Sequence, residues 1–174
     1  MRSFIAGVLA RAGEICAFTN PVPGSYARFG SFEAPRYVAW SHQNRSQLIR
    51  IPAAPAPEYA RIEVRMPDVS CNPYLAFALL LAAGFEGMER KMELAEETPY
   101  DLYTANAGAL EALPASLEEA IARAGGSAFV EKVLSADTAR KYLALKQAEQ
   151  NRWFAARDKA KNIRTKHISE FCNI

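Results

Sequence analysis

Apolar positions near the start of the chain recur at helical spacing. Phe4, Ile5, Val8, Leu9 and Ile15 fall close to one face, which predicts a helix over residues 2–18. Asn20-Pro21 and a Pro/Gly-rich turn through Gly24 should end it. Residues 25–35 show no periodicity and read as a loop that carries Arg28, Gly30 and Glu33. Tyr37–Trp40 and Ser46–Ile51 are rich in β-branched and aromatic residues and read as two strands. Three prolines between Pro52 and Pro57 make a stiff exposed connection, and a third strand follows over Arg61–Met66. Asn72-Pro73 opens a helix, with Asn as the cap and Pro at the first helical position. This helix should run to about Met92, and its first half is apolar all round, so it is expected to be buried. Beyond Leu94 the chain turns acidic and turn-rich, then helical again. Ser116 and Glu119 have capping-box spacing, and helices are expected at 116–124, 127–134 and 136–158.

The third strand also carries chemistry. Alternation puts Arg61, Glu63 and Arg65 on one face at intervals of roughly 6–7 Å, with Ile62, Val64 and Met66 on the other. A carboxylate between two guanidinium groups can help hold a metal ion and bind anions. The same pattern also describes a solvated strand face with cross-strand ion pairs. Arg45 and Arg50 are five apart, so strict alternation separates them unless Arg45 precedes its strand or a bulge intervenes. His42 fits a hydrogen-bonded structural residue better than a ligand.

Composition narrows the classes. The 174 residues suffice for one domain with a core; half are apolar and the formal net charge is +2. That balance excludes a disordered tail and nucleic-acid binding driven by bulk charge. Cys16, Cys71 and Cys172 form neither a disulfide framework nor a CxxC spacing, so a reducing, cytoplasmic setting is expected. The longest apolar run, Leu75–Ala83, is too short for a bilayer, so no membrane partner is expected. The first residues read as an amphipathic helix and not a targeting segment. Residues 1–90 contain no lysine, yet Arg28, Arg36, Arg45, Arg50, Arg61 and Arg65 crowd one stretch. Arginine's planar fork matches carboxylate and phosphate, which hints at small-anion recognition. The basic residues of 152–166 read as an exposed helix end and tail and not as an RNA or lipid patch.

Five short motifs occur in order: Phe32-Glu33-Ala34-Pro35, Asn44-Arg45-Ser46, Ile49-Arg50-Ile51-Pro52, Arg61-Ile62-Glu63-Val64-Arg65, and Asn72-Pro73-Tyr74-Leu75-Ala76-Phe77-Ala78. Together with Thr19-Asn20-Pro21 and Ser25-Tyr26 they resemble the C-terminal part of the catalytic domain of bacterial and archaeal glutamine synthetase. The likeness is dense over residues 4–92, loose over 93–135 and faded in the last thirty. It implies an α+β fold, a partial catalytic domain with a few antiparallel strands packed with several helices and a helical C-terminal third. Residues 1–135 would belong to the catalytic domain, and 136–174 would form a C-terminal helix and basic tail. It implies ATP-dependent ligation of ammonia to the side-chain carboxylate of glutamate through a γ-glutamyl phosphate. In that family the glutamate matched by Glu33 closes over the substrate and helps take a proton from bound ammonium. Arg28 and Arg65 match residues that contact glutamate. Arg45 matches one between glutamate and the nucleotide phosphates, and Arg50 and Arg61 match arginines on the ATP side. Glu63 matches a carboxylate ligand of Mg²⁺ or Mn²⁺. Such chemistry depends on positioning and on neutralising phosphoryl charge.

Departures qualify these implications. Gly24 stands where the family often has Asn, and Glu58 where it often has Lys, which puts one phosphate contact in doubt. Tyr100 lies near a tyrosine that some members adenylylate, in a poorly matching context. Family members are several hundred residues long and form double rings. Their β-grasp domain, most of their metal-binding glutamates and a catalytic histidine have no counterpart here. The chain is therefore expected to be a C-terminal fragment that is inactive by itself. Two alternatives remain: a non-catalytic module that binds a full-length synthetase subunit, and a fragment of a related γ-glutamyl-amine (polyamine) ligase.

Overall fold

A computed structural model describes residues 1–31 and 33–171, with side chains through residue 159 apart from position 32. Six helices and one small sheet follow the order α1 (Arg2–Thr19), α2 (Pro23–Ala27), β1 (Trp40–His42), β2 (Ile49–Ile51), β3 (Glu63–Val64), α3 (Pro73–Glu89), α4 (Leu117–Gly125), α5 (Ala128–Leu134) and α6 (Ala136–Phe171). The class is α+β. Three helices fall close to their expected bounds because caps define them. The Asn72 side chain accepts from the Tyr74 and Leu75 amides, Ser116 from the Glu119 amide, and Ser127 from the Val130 amide. The Glu119 carboxylate in turn accepts from the Ala115 amide at 2.9 Å, one residue before the expected capping-box partner.

The core is built on α1. Ile5, Val8, Ala12, Ile15, Cys16 and Phe18 are fully buried where α1 packs on α3 and α4, in one core with Trp40 and Ile49 of the sheet. Phe18 stacks on Tyr142 of α6 with centroids 4.5 Å apart, and the Tyr142 hydroxyl donates to the Ala17 carbonyl at 3.2 Å. Where α1 meets α3 the backbones almost touch. A Cβ on Gly87 would collide with the Ser3 carbonyl and the Gly7 backbone, and one on Gly84 with the Phe4 ring. Glycine inside a helix costs about 1 kcal/mol, a cost offset here by the closer approach. Arg11 seals the rim of this contact with a two-pronged pair to Glu86, 2.8 Å at each prong.

The sheet runs β1-β2-β3 and is mixed. β2 pairs antiparallel with β3, as expected, but β1 pairs parallel with β2. The strands are also shorter than their composition suggested. Tyr37 makes only an isolated bridge to Ala112, and residues 43–48 form a loop that must reverse direction before β2 starts. Registry places Trp40, Ile49 and Val64 in one row and Ser41, Arg50 and Glu63 in the next. Trp40 and Ile49 are buried, with Val64, Ile62 and Met66 packed against the same core. The opposite face is left to polar groups.

Two further expectations change. The Pro/Gly-rich turn contains the short helix α2, since Pro23 suits a first helical turn. α3 is not buried all round. Ala76, Leu79 and Ala83 face α1, while Tyr74, Phe77, Leu81, Phe85 and Met88 are 47–84% exposed. Its uniform apolarity therefore reflects two faces, of which the described chain covers one. α6 extends past the expected end at 158, and the expected basic tail beyond Lys159 lies outside the described side chains.

Candidate functional site

The polar face of the sheet gathers most of the arginines and acids singled out in the sequence. Arg50 and Glu63 are register partners on adjacent strands, so their side chains meet, with Nη1 to Oε2 at 2.6 Å. Glu63 and Arg65, two apart on the same strand direction, also pair directly. Glu63 thus sits between two guanidinium groups, but alternation along the strand supplies only Arg65; the second comes from Arg50 across the sheet, in place of the expected Arg61.

Arg65 is the centre of the site. Its side chain is only 9% exposed, and each of its nitrogens is used. Nη1 binds Glu63, Nη2 donates to the Glu33 carbonyl at 2.8 Å, and Nε donates to the Arg45 carbonyl at 3.0 Å. A single residue, just past the end of β3, therefore fixes two loops. Arg45 precedes β2 and lies in the 43–48 loop, which removes the parity conflict with Arg50. Its Nη1 donates to Glu33 Oε1 at 3.1 Å.

Glu33 occupies the tip of the 28–34 loop with φ of 61°, the left-handed region that side-chain-bearing residues rarely adopt. Gly30, at φ of 81°, lets the loop close by donating to the Ala34 carbonyl at 3.0 Å. Such backbone persists where the surroundings hold it, and here Arg65 grips the Glu33 carbonyl while Arg45 grips its carboxylate. The Arg45 hydrogen bond and charge, with a smaller part from Arg65, keep the Glu33 carboxyl below the usual carboxylate range.

Two expected members stand apart. Arg28 Nη2 donates to Asn20 Oδ1 and to the Met66 carbonyl, each at 3.2 Å, and its Nε lies 4.0 Å from Asp68. Its Nε is buried without a hydrogen-bond partner among the described residues. Arg61 is exposed and, among the described residues, donates only to the Tyr59 carbonyl at 3.2 Å.

Residues that pattern alone did not select brace the site from behind. The Tyr103 hydroxyl donates at 3.2 Å to the same Arg45 carbonyl that Arg65 uses. Gln47 donates to the Thr98 and Tyr100 carbonyls, and Asn44 to those of Pro99 and Tyr100. His42 pairs with Glu97 at 2.7 Å, a structural role as expected. The partners are 51–58 residues apart in sequence, and no local signal marks such contacts. The Tyr100 side chain is half exposed.

Three guanidinium groups face two carboxylates here, leaving one net positive charge on a partly open surface. The arrangement suits a small anion that exchanges for Glu33 on the arginine forks. It does not by itself suit a divalent cation. Glu63 has both oxygens engaged by arginine, and among the described residues no three His, Cys, Asp or Glu side chains converge as a metal site. Also among the described residues, no helix is long and apolar enough to cross a membrane.

A small mixed sheet backed by helices, with arginine forks on its polar face, places the chain in the α+β class with a surface whose chemistry suits anions. Comparison with known proteins gives it a family. Residues 1–164 match the family described as glutamine synthetase, catalytic domain. The chain is 43% identical over 158 residues to glutamine synthetase of Methanosarcina mazei, covering 87% of this chain and 35% of that protein. It is 46% identical over 127 residues to glutamine synthetase of Thermotoga maritima, covering 70% and 29% respectively. A solved structure described as a GmaS/ADP complex, conformation 1, superposes with a TM-score of 0.76 at 27% identity, covering 90% of this chain and 36% of that one. The chain belongs to the glutamine synthetase catalytic-domain family, a family of ligases, and spans about a third of the length of the relatives it matches.

Proposed function

We propose that this chain forms one wall of an active site that ligates ammonia to the side-chain carboxylate of glutamate, with ATP as co-substrate. The carrying observation is the Arg65-centred cluster, which ties Glu33, Arg45, Arg50 and Glu63 into one anion-ready surface. In this reading Arg45 and Arg65 bind glutamate and the phosphoryl group being transferred, Arg50 and Arg61 lie toward the nucleotide, and Arg28 serves the far end of glutamate. Glu63 would be one of several ligands to Mg²⁺ or Mn²⁺, the rest coming from elsewhere in a complete synthetase. Among the described residues, those present do not by themselves make that ion's site.

The geometry suggests how Glu33 becomes a base. Paired with Arg45, its carboxylate is a weak proton acceptor. An anionic substrate that draws Arg45 and Arg65 onto itself removes that stabilisation and raises the proton affinity of Glu33. The carboxylate then takes a proton from ammonium, and the ammonia released attacks the γ-carboxyl carbon of the γ-glutamyl phosphate made from ATP, forming the amide C–N bond as the C–O bond breaks and inorganic phosphate leaves. The loop glutamate is thus latched until substrate arrives.

The test is ATP-dependent glutamine formation by the 174-residue chain alone and with the rest of a glutamine synthetase subunit supplied in trans. The chain alone should give none. Turnover should appear with the complement and fall at least a hundredfold in Glu33→Gln. Robust turnover by the isolated chain, or a stable assembly with no glutamine formed, would overturn the reading.

A further inference from the structure

A cavity of about 300 Å³ opens where α2, the start of α4 and α6 meet. None of its lining residues belongs to the arginine cluster. Trp153, Phe154 and Arg157 of α6 form one side, and Leu117 and Tyr26 face it from α4 and α2. Trp153 and Phe154 meet edge to face with centroids 5.1 Å apart, and each is 41% exposed. The Arg157 guanidinium lies over both rings, 5.2 Å from the Trp153 centroid and 5.8 Å from that of Phe154. Half-open aromatic rings beside a stacked guanidinium give a planar, electron-rich molecule surfaces to pack on.

A second observation concerns Gln150, one helical turn before Phe154. It lines the same cavity and is only 4% exposed. Its Oε1 is buried with no hydrogen-bond partner among the described residues. An unpaired buried acceptor is costly, and most such groups in folded proteins have a donor. The Tyr26 hydroxyl, also unpaired among the described residues, lies beside the Cys16 thiol in the core, which leaves Gln150 as the group offered to a ligand. Water would satisfy the amide oxygen but not the aromatic and aliphatic walls. Arg157 and Glu118 give the lining one charge of each sign, so neither an anion nor a cation is favoured overall. Ligand cavities run from about 300 to 1,000 Å³, so this one takes a single or fused ring and not a whole nucleotide.

We propose that the cavity between α2, α4 and α6 binds a small, neutral, planar heteroaromatic molecule, whose ring N–H donates to Gln150 Oε1 while the ring packs on Trp153 and Phe154. This does not depend on the ligase reading above. The two places are joined through α2, which lines the cavity and is capped at its end by Arg28. An occupied cavity therefore abuts the element that presents one of the candidate substrate residues.

The experiment labels the intact chain with 5-fluorotryptophan and follows its two fluorine NMR signals, from Trp40 and Trp153, during titration with benzimidazole. Trp153→Phe assigns the pair. Benzimidazole should move the Trp153 signal saturably and leave that of Trp40, which is buried behind the sheet, in place. The same ring without its N–H, 1-methylbenzimidazole, should bind about fivefold more weakly, the usual weight of one neutral hydrogen bond. Gln150→Leu should weaken benzimidazole by about the same factor and change 1-methylbenzimidazole by less than about twofold. Leucine there removes an unpaired acceptor and keeps the apolar stem, so the variant should fold, with an unshifted Trp40 signal as the check. Should that signal shift, the two ligands compared on the parent chain decide the matter. A Trp153 signal unmoved by benzimidazole, both signals moving together, equal affinity for the two ligands, or a folded Gln150→Leu chain that still prefers the N–H would each overturn the proposal.

Discussion

At the scale of single residues, the site turns on which acid is held and which is released. Glu63 is fixed between Arg50 on β2 and Arg65 just past β3, whereas Glu33 is 59% exposed and depends chiefly on Arg45. The Glu33 carboxyl should therefore respond to its loop partner. In Arg45→Ala its pKa should rise toward the ordinary glutamate value, since the hydrogen bond that lowers it most is gone. Carboxyl-carbon NMR titration of the two proteins reads this directly; an unchanged midpoint would mean that Arg45 does not hold Glu33 in solution.

At the scale of elements, packing of α1 on α3 is the organising contact, and it is made by absent side chains. In Gly87→Ala the new methyl meets the Ser3 carbonyl and the Gly7 backbone, neither of which can rotate away. Overpacking of this kind costs about 1–3 kcal/mol, more than the helix propensity that alanine regains. A lower urea midpoint with unchanged slope is expected, and a raised midpoint would show that the helices can part without cost. The same element shows where the sequence was readable. Asn72-Pro73, Ser116 and Ser127 announce helix starts through local chemistry, and those starts fall within a residue of expectation. Burial of α3 could not be read this way, because an apolar helix looks alike whether its second face is covered by its own chain or another. Strand lengths and the parallel β1–β2 pairing also escaped, since both depend on where the 43–48 loop turns back. The resemblance carried the chemical roles assigned to Glu33, Arg45, Arg50, Glu63 and Arg65. What it did not carry was their convergence on Arg65, or the support of Tyr103 and Gln47 from a segment of loose likeness.

At the scale of the whole molecule, charge and stability are linked through the rim of the α1–α3 contact. Arg11 lowers the Glu86 carboxyl to about 2, from an ordinary value of 4.5. A depressed acid stabilises the folded state fully above its unfolded pKa and loses that contribution as pH falls through the folded one. Stability should therefore be insensitive to this pair above about pH 5 and decline as pH drops from about 4.5 toward 2. In Glu86→Gln the chain should be less stable at neutral pH, and its acid dependence shallower by the share of this one group. Denaturation midpoints across that range test it, and parallel curves for the two proteins would contradict the linkage.

The carbonyl of Arg45 receives both Arg65 and Tyr103, and it belongs to the main chain. No exchange of side chain at position 45 can remove it. A mutational scan would thus report only what the guanidinium does there and would miss the second duty of that residue, as a fixed acceptor joining strand, loop and brace. Its weight becomes visible only through chemistry on the backbone itself. An ester in place of the amide between Arg45 and Ser46 would weaken that oxygen, and would also delete the Ser46 N–H that now donates to Asn44 at 3.0 Å.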